Sequence, residues 1–255
     1  MKIAIMGAGA FGTALGGILA DKGYDVEYYD SKIGNKSLGD VLEGAKIIVL
    51  AIPSAAVSYL LPHLPKNLPL IVATKGILDD KLFQEFGDTM VISGPGFADD
   101  IKAGKETKLT ATDSRVVEMF GTDFLTFDMT KDKRGVLMCG ALKNVYAILA
   151  GLLDLKRGTS EWNDFIKAAA QEMKDILALN GAHPETVDLV CGIGDLKLTC
   201  DTPSRNYQYG CILRRDSNAK PDKTVEGLTA LNKIKRGEIK IPDSVVLLCK
   251  LMEKI

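Results

Sequence analysis

A glycine-rich turn near the N-terminus is the feature that most constrains the fold of this chain. The apolar run KIAIM leads into GAGAFG at residues 7–12, and helix-forming residues follow as far as Gly23. In this spacing the first glycine permits a tight turn, the second lets a pyrophosphate approach the backbone, and the third lets helix and strand pack closely. The N–H groups at the start of the helix then attract phosphate. The turn predicts a dinucleotide site; a glycine-rich turn without a ligand is the alternative.

The first half of the chain alternates short apolar runs with helical stretches. Strand candidates are KIAIMG, DVEYYD, KIIVLAI and PLIVAT, and weaker ones are TMVIS and DFLTFD. Strands separated by helices pair in parallel, and apolar strands such as IIVLAI suit burial on both faces. We therefore predict an α/β fold in which residues 1–130 form a doubly wound (Rossmann) parallel sheet that binds a dinucleotide.

From about residue 131 the hydrophobic pattern is helical. Helix periodicity runs through GVLMCGALKNVYAILAGLL, WNDFIKAAAQEMKDILALNG, TVEGLTALNKIKRG and PDSVVLLCKLMEKI, without a convincing strand candidate. This change of pattern predicts an all-α C-terminal domain over residues 131–255, which we expect to bind the substrate.

The composition excludes several classes of function. The formal charge of −1 gives no basic field for nucleic acid. The five cysteines lack CxxC spacing and are accompanied by only two histidines, so we expect no metal site. Reduced thiols in a cytoplasmic protein are the simpler interpretation.

The apolar run from Gly135 to Leu155 contains a lysine, Lys143, at its centre. The run is long enough to span a membrane, but the central charge and the lack of a second span favour a buried helix. Burial lowers the pKa of a lysine toward the range that suits general acid–base chemistry. The alternative is a lysine that extends to the surface or pairs with an aspartate.

Asp30 closes the second strand, 18 residues after Gly12. A carboxylate about 20 residues after the turn bonds the adenosine ribose in dinucleotide sites. Because it repels a 2′-phosphate, we predict NAD over NADP, although Lys32 nearby softens the discrimination. An exposed aspartate at a strand end is the alternative.

Further polar motifs follow the later strands. TKGI places Lys75 after PLIVAT, and SGPGFA forms a second tight turn. The run GIGDLKLTCDTPSRN concentrates polar groups at Asp195, Thr199, Ser204, Arg205 and Asn206. Arginine and asparagine together suit a phosphate, which the arginine can bind in bidentate fashion. Each motif alone could also be a loop or a surface charge.

Taken in order, these motifs resemble the NAD(P)-dependent glycerol-3-phosphate dehydrogenase family. The similar stretches are GAGAFGTALG, AIPS, ATKGI, SGPGFA, CGALKNVYAI, GIGDLKLTC with SRN, TVEG and IKIP. The resemblance implies a Rossmann domain followed by a helical substrate domain. It also implies interconversion of dihydroxyacetone phosphate and sn-glycerol 3-phosphate, a small three-carbon substrate, with a nicotinamide cofactor.

The resemblance also implies roles for individual residues. Lys143 matches the proton-transferring lysine, and Lys75 matches a lysine near the reacting carbon; with Asp195 they form the expected catalytic set. The implied substrate contacts are Lys75, Asn144, Asp195, Thr199, Arg205 and Asn206. The implied cofactor contacts are Gly7, Gly9, Ala10, Phe11, Gly12, Asp30, Lys75, Ala98, Arg205 and Glu226.

The chain departs from the family pattern at four places. The segment after Asp30 is short, Gly96 stands where a serine is usual, and Leu137 replaces a glutamate. The helix around WNDFIKAAAQEM lacks an asparagine-to-arginine pattern, with Lys167 as a candidate substitute. We expect these changes to affect affinity, cofactor preference and regulation more than reaction class.

Two alternatives to this dehydrogenase stay open. One is a dinucleotide-binding sensor without turnover, and the other is a dehydrogenase for another small phosphorylated hydroxy compound. The site serves lipid-precursor synthesis and glycerol breakdown equally, so it does not indicate the direction in the cell. Apolar stretches such as SVVLLCKLM favour a homodimer.

Overall fold

The computed structural model describes residues 1–34 and 36–254. Asn35, in the short segment after Asp30, and Ile255, the last residue of the predicted C-terminal helix, lie outside the described residues. The chain forms two compact units. The first consists of Met1–Thr74 and Asp80–Lys133, and the second of Lys75–Asp79 and Arg134–Ile255.

The first unit is built on a seven-stranded sheet with the strand order β2-β1-β3-β4-β5-β6-β7. The strands are β1 (Lys2–Met6), β2 (Asp25–Tyr29), β3 (Ile47–Leu50), β4 (Leu70–Val72), β5 (Thr89–Ser93), β6 (Thr107–Ala111) and β7 (Leu125–Met129). Neighbouring strands pair in parallel except β5 and β6, which are antiparallel. The predicted fold class is confirmed, with one antiparallel pairing that the prediction did not include.

Short helices cover this sheet. They are α1 (Ala10–Asp21), α2 (Leu38–Leu42), α3 (Ser54–Leu60), α4 (Ala98–Lys102) and α5 (Ser114–Phe120), with 3-10 turns at Leu61–His63 and Asp80–Phe83. In α1 the apolar residues at 14, 15, 18 and 19 form one buried face that packs on Ile3 and Ile5 of β1. Helix α1 starts at the glycine turn, so this packing fixes the turn against the end of β1.

The second unit contains helices and turns but no strand among its described residues, as predicted. Its helices are α6 (Lys133–Leu152), α7 (Ser160–Leu179), α8 (Asp195–Thr199), α9 (Arg205–Arg215), α10 (Glu226–Lys235) and α11 (Leu247–Lys254). A 3-10 turn at Pro184–Asp188 and a π-helical turn at Val190–Gly194 precede α8. Helix α6 is long and apolar enough to cross a membrane, but 94% of its apolar window is buried inside the protein. It is the central helix of this unit.

Candidate active site

The glycine turn of the first unit has the geometry that its spacing predicts. Gly7 has a φ of +111°, and a Cβ there would lie 2.4 Å from the carbonyl oxygen of Ala51. A Cβ at Gly12 would lie 2.1 Å from the carbonyl oxygen of Gly7. At Gly9, by contrast, a Cβ would meet no atom within 4 Å. The fold itself therefore requires Gly7 and Gly12, whereas Gly9 leaves the backbone open to a phosphate group.

Asp30 is partly buried beside this turn. Its Oδ2 accepts a hydrogen bond from the backbone N–H of Ala8 at 3.1 Å, and its Oδ1 accepts one from the N–H of Lys32 at 2.9 Å. These bonds fix the carboxylate next to the glycine turn. Of the other predicted cofactor contacts in this unit, Ala10 and Phe11 begin α1, and Ala98 begins α4.

In the second unit, Lys143 lies in the middle of α6 and is only 3% exposed. Its Nζ is 2.5 Å from Oδ1 of Asp195 and donates to Oγ1 of Thr199 at 2.9 Å. Lys75 reaches the other carboxylate oxygen, Oδ2, at 3.2 Å. The structure thus brings together the three predicted catalytic residues, with the two amines on one buried carboxylate. Lys143 does not extend to the surface, and the aspartate it pairs with is a predicted site residue.

The surroundings of Lys143 change its proton affinity. Burial lowers the pKa of Lys143 to about 7; Asp195 acts against this shift and the Lys75 ammonium acts with it. An amine with a pKa near neutrality can both donate and accept a proton under physiological conditions. Burial raises the pKa of the nearby Cys200 thiol, so this group stays protonated.

Two asparagines next to this cluster, Asn144 and Asn206, are hydrogen-bonded to each other. Nδ2 of Asn206 donates to Oδ1 of Asn144 at 2.9 Å, and Oδ1 of Asn206 accepts from the N–H of Gly227 at 2.9 Å. Nδ2 of Asn144 donates to the carbonyl oxygen of Gly140 at 3.1 Å. This chain of hydrogen bonds connects α6, α9 and α10. Each amide group has a second N–H, which a ligand can use.

Three glycines that the sequence analysis did not assign a role let these helices approach α6. A Cβ at Gly151 would lie 2.0 Å from the carbonyl oxygen of Tyr207, and one at Gly210 would lie 2.0 Å from that of Ile148. A Cβ at Gly227 would lie 2.5 Å from the carbonyl oxygen of Asn144. The close approach brings Asn206 to Asn144. Glycines inside helical patterns were the only signal of it.

Arg205 and Glu226 occupy helix starts. Arg205 is the exposed first residue of α9, next to Asn206, and it forms no ion pair with any residue that the structure describes. Ser204 caps this helix by accepting a hydrogen bond from the N–H of Tyr207 at 3.5 Å. Glu226 is the partly exposed first residue of α10. The guanidinium of Arg205 is therefore available to an anion.

The departures from the family pattern have structural counterparts. At Gly96 a Cβ would lie 3.1 Å from Leu109 and 3.3 Å from Thr107, so side chains of β6 would have to shift by a few tenths of an ångström to admit a serine. Leu137 is buried within α6. Lys167 is exposed on α7, 3.6 Å from Asp164. Across residues 1–34 and 36–254, no cluster of His, Cys, Asp or Glu could hold a metal ion.

Several known proteins resemble this chain. The family model described as NAD-dependent glycerol-3-phosphate dehydrogenase C-terminus matches residues 132–245. Two proteins named glycerol-3-phosphate dehydrogenase (NAD(P)+) are similar in sequence. The one from Leptospira biflexa is 33% identical over 93% of this chain and 85% of its own length. The one from Gloeobacter violaceus is 34% identical over 82% and 76%.

A solved structure is also similar. The crystal structure of glycerol-3-phosphate dehydrogenase from Coxiella burnetii is 26% identical and has a TM-score of 0.81, with 100% of this chain and 95% of that chain covered. This likeness spans the strands of the first unit and the helices of the second.

Proposed function

This chain belongs to the NAD(P)-dependent glycerol-3-phosphate dehydrogenase family, and on that premise we propose that it interconverts dihydroxyacetone phosphate and sn-glycerol 3-phosphate. The observation that carries the proposal is the buried cluster of Lys143, Asp195 and Lys75. Two amines on one buried carboxylate are costly to bury, and a protein that only senses a dinucleotide has no use for them.

The cluster supplies the proton chemistry of this reaction. During reduction Lys143 donates a proton to the C2 oxygen of the substrate, and during oxidation it takes the proton of the C2 hydroxyl. Asp195 holds the Lys143 ammonium in place, and Thr199 accepts one of its hydrogens. Lys75 adds a second positive charge that stabilises negative charge on the C2 oxygen. The nicotinamide, when bound, supplies the redox chemistry.

We assign the phosphate of the substrate to Arg205 and Asn206. The guanidinium is exposed and can bind phosphate in bidentate fashion, which fixes the position of C2 relative to the catalytic amine. Asn206 donates one amide N–H to Asn144, and Asn144 donates one to Gly140, so each has a second amide N–H for the substrate. Thr199 completes this set, and Glu226 remains an assignment to the cofactor side.

We assign the cofactor to residues 1–130 and the substrate to residues 131–255. In the first region Gly7, Gly9, Ala10, Phe11 and Gly12 are the proposed phosphate-binding turn, with Asp30 at the ribose and Ala98 as a further contact. Lys75 and Arg205 are proposed to contact the cofactor as well as the substrate. The open backbone at Gly9 and the carboxylate beside it support this assignment.

The direct test is oxidation of NADH by the purified chain with dihydroxyacetone phosphate as the acceptor. We expect turnover that inorganic phosphate inhibits competitively, because Arg205 binds the phosphate of the substrate. If the chain binds NADH without reducing dihydroxyacetone phosphate, the sensor becomes the better assignment. Reduction of a different phosphorylated ketone alone would favour the second alternative.

NAD is the preferred cofactor in this proposal, and the Asp30→Ser variant tests the preference. Removing the carboxylate removes its repulsion of a 2′-phosphate, so the ratio of kcat/KM for NADPH to that for NADH should rise about tenfold or more. The matched control is Asp25→Ser at the exposed start of β2, which should leave the ratio unchanged. An unchanged ratio in Asp30→Ser would remove the argument for NAD.

The Gly9→Ala variant separates cofactor binding from folding. Because a Cβ at Gly9 meets no protein atom, the variant should fold normally, yet its methyl group should weaken NADH binding about tenfold or more. Gly17→Ala on α1 is the matched control, since a Cβ there also meets nothing within 4 Å. The measurements are thermal unfolding and NADH fluorescence titration. Equal NADH affinity in both variants would argue against the proposed phosphate site.

The pKa of Lys143, lowered to about 7, predicts opposite pH dependences for the two directions. Reduction needs the protonated amine, so its kcat/KM should fall as the pH rises through about 7. Oxidation needs the neutral amine, so its kcat/KM should rise over the same range. Initial rates from pH 5.5 to 9.5 at saturating cofactor measure both limbs. If kcat/KM changed in the same direction with pH for both reactions, the role of Lys143 would be contradicted.

A cytoplasmic location and a homodimer stay predictions. In the stretch SVVLLCKLM, Val245, Leu248 and Leu251 are buried within the second unit, whereas Val246 is 52% exposed. Sedimentation equilibrium of the purified chain measures the oligomeric state.

A further inference from the structure

The segment Lys75–Asp79 belongs to the second unit, although the chain on either side of it belongs to the first. Its sequence is KGILD, with a charged residue at each end. Ile77 and Leu78, between the two charges, are buried. The position of Lys75 is therefore set by contacts within the second unit, although the residue follows β4 in sequence.

Each end of this segment has a polar anchor. At one end Nζ of Lys75 lies 3.2 Å from Oδ2 of Asp195. At the other end Nη2 of Arg134 lies 3.3 Å from Oδ1 of Asp79, and Nη1 of Arg134 donates to the carbonyl oxygen of Asn180 at 3.0 Å. The second anchor lies on the first turn of α6.

Arg134 and Lys143 lie on the same helix. They are nine residues apart in the sequence, which corresponds to about 14 Å along the helix axis. The helix that carries the proton-transferring amine thus also carries the anchor for the far end of the segment that brings Lys75.

The stability of the fold does not account for this arrangement. The side chains of Arg134 and Asp79 are 28% and 32% exposed, and ion pairs with this access to water contribute little to stability. A cation in the first turn is also opposed by the positive end of the helix dipole. The ion pair of Arg134 and Asp79 instead fixes the position of the segment Lys75–Asp79.

We propose that Arg134 and Asp79 are positioning residues, which hold Lys75 against Asp195 so that one helix sets both amines of the active site. The inference rests on the proposed function of that site and deepens it. Arg134 and Asp79 do not touch the reacting atoms; they act through Lys75.

A shift in the pH profile follows from this role. Three charged or titratable groups interact with the amine of Lys143. They are Lys75, Asp195 on α8, and Cys200, whose thiol stays protonated. Lys75 lowers the pKa of Lys143. When the segment loosens, the Lys75 ammonium moves away and Asp195 pairs with Lys143 alone. Both changes raise the pKa of Lys143.

The experiment compares Arg134→Gln and Asp79→Asn with the wild-type chain. In both variants the pH at which kcat/KM for reduction of dihydroxyacetone phosphate falls on the alkaline side should rise by about 0.5 pH unit or more. Acylation of Lys75 by an amine-reactive reagent, followed by mass spectrometry, should become several-fold faster. The matched control is Arg214→Gln, whose partner Asp154 is 33% exposed; it should change neither quantity.

The two readouts separate this inference from the proposed function. If both variants keep the wild-type limb and the wild-type labelling rate, whatever happens to their stability, the positioning role is overturned. Labelling needs no turnover. A chain that labels as expected but never reduces dihydroxyacetone phosphate would therefore refute the proposed reaction while supporting the positioning of Lys75.

Discussion

Replacing Lys143 with methionine is expected to lower kcat for reduction of dihydroxyacetone phosphate by on the order of 10³-fold or more. The variant removes the proton donor and one positive charge next to the substrate oxygen. Methionine has nearly the same length and fills the buried space on α6 without a cavity. Lys75 still pairs with Asp195, so a residual rate should remain. NADH oxidation at saturating substrate measures the loss.

The control for this variant is Lys197→Met on α8. Lys197 lies between Asp195 and Thr199 in the sequence, but its side chain is exposed, so the variant should keep nearly wild-type turnover. NADH binding should be unchanged in both variants, because the proposed phosphate-binding turn lies in the other unit. A Lys143→Met chain with near wild-type turnover would show that another group transfers the proton.

The strands and long helices were predictable because their signals are local. The apolar run of β3 and the glycine turn before α1 each determine their own structure, whatever the rest of the chain does. Strand β6 was missed because TKLTA has only Leu109 as a large apolar residue, and its burial comes from its neighbours in the sheet. Its antiparallel pairing with β5 likewise leaves no mark in either strand's own sequence.

The sequence named Lys143, Asp195 and Lys75 as candidates but did not predict the geometry that joins them. The apolar surroundings of Lys143 in the sequence correctly indicated a buried amine. Its partner could not be derived from spacing, because Asp195 is 52 residues away and joins it only when α8 packs against α6. The same holds for Lys75, whose segment leaves the sheet and joins the helical unit.

The hydrogen bond between Asn144 and Asn206 depends on close backbone contacts between helices, which cannot be predicted from the sequence pattern. Gly210 approaches Ile148 so closely that no side chain would fit, and this approach places Asn206 beside Asn144. The family resemblance implies that both asparagines contact the ligand. The structure shows that each also stabilises the packing of three helices, so substitutions there should affect folding as well as substrate binding.

Glu172 on α7 is a buried carboxylate that no motif in the sequence marks. Its Oε1 accepts hydrogen bonds from the N–H groups of Val246 at 2.7 Å and Leu247 at 2.6 Å. Its Oε2 accepts from the N–H of Leu248 at 3.2 Å and from the hydroxyl of Tyr146 at 2.9 Å. Because the first N–H groups of a helix have no partner within it, Glu172 caps α11 from another helix. It also ties α11 to α6, three residues from Lys143.

The Glu172→Ala variant should therefore lower the free energy of unfolding by about 2–4 kcal/mol, because it leaves one buried and two partly buried N–H groups and the buried phenol of Tyr146 without an acceptor. Hydrogen exchange followed by mass spectrometry should show lost protection in residues 247–254 before other parts of the second unit. Glu253→Ala is the matched control. Glu253 lies on α11 itself and its side chain is exposed, so the variant should change neither the free energy of unfolding nor the protection of α11. If α11 keeps its protection in Glu172→Ala, packing of Leu248 and Leu251 holds the helix without the cap.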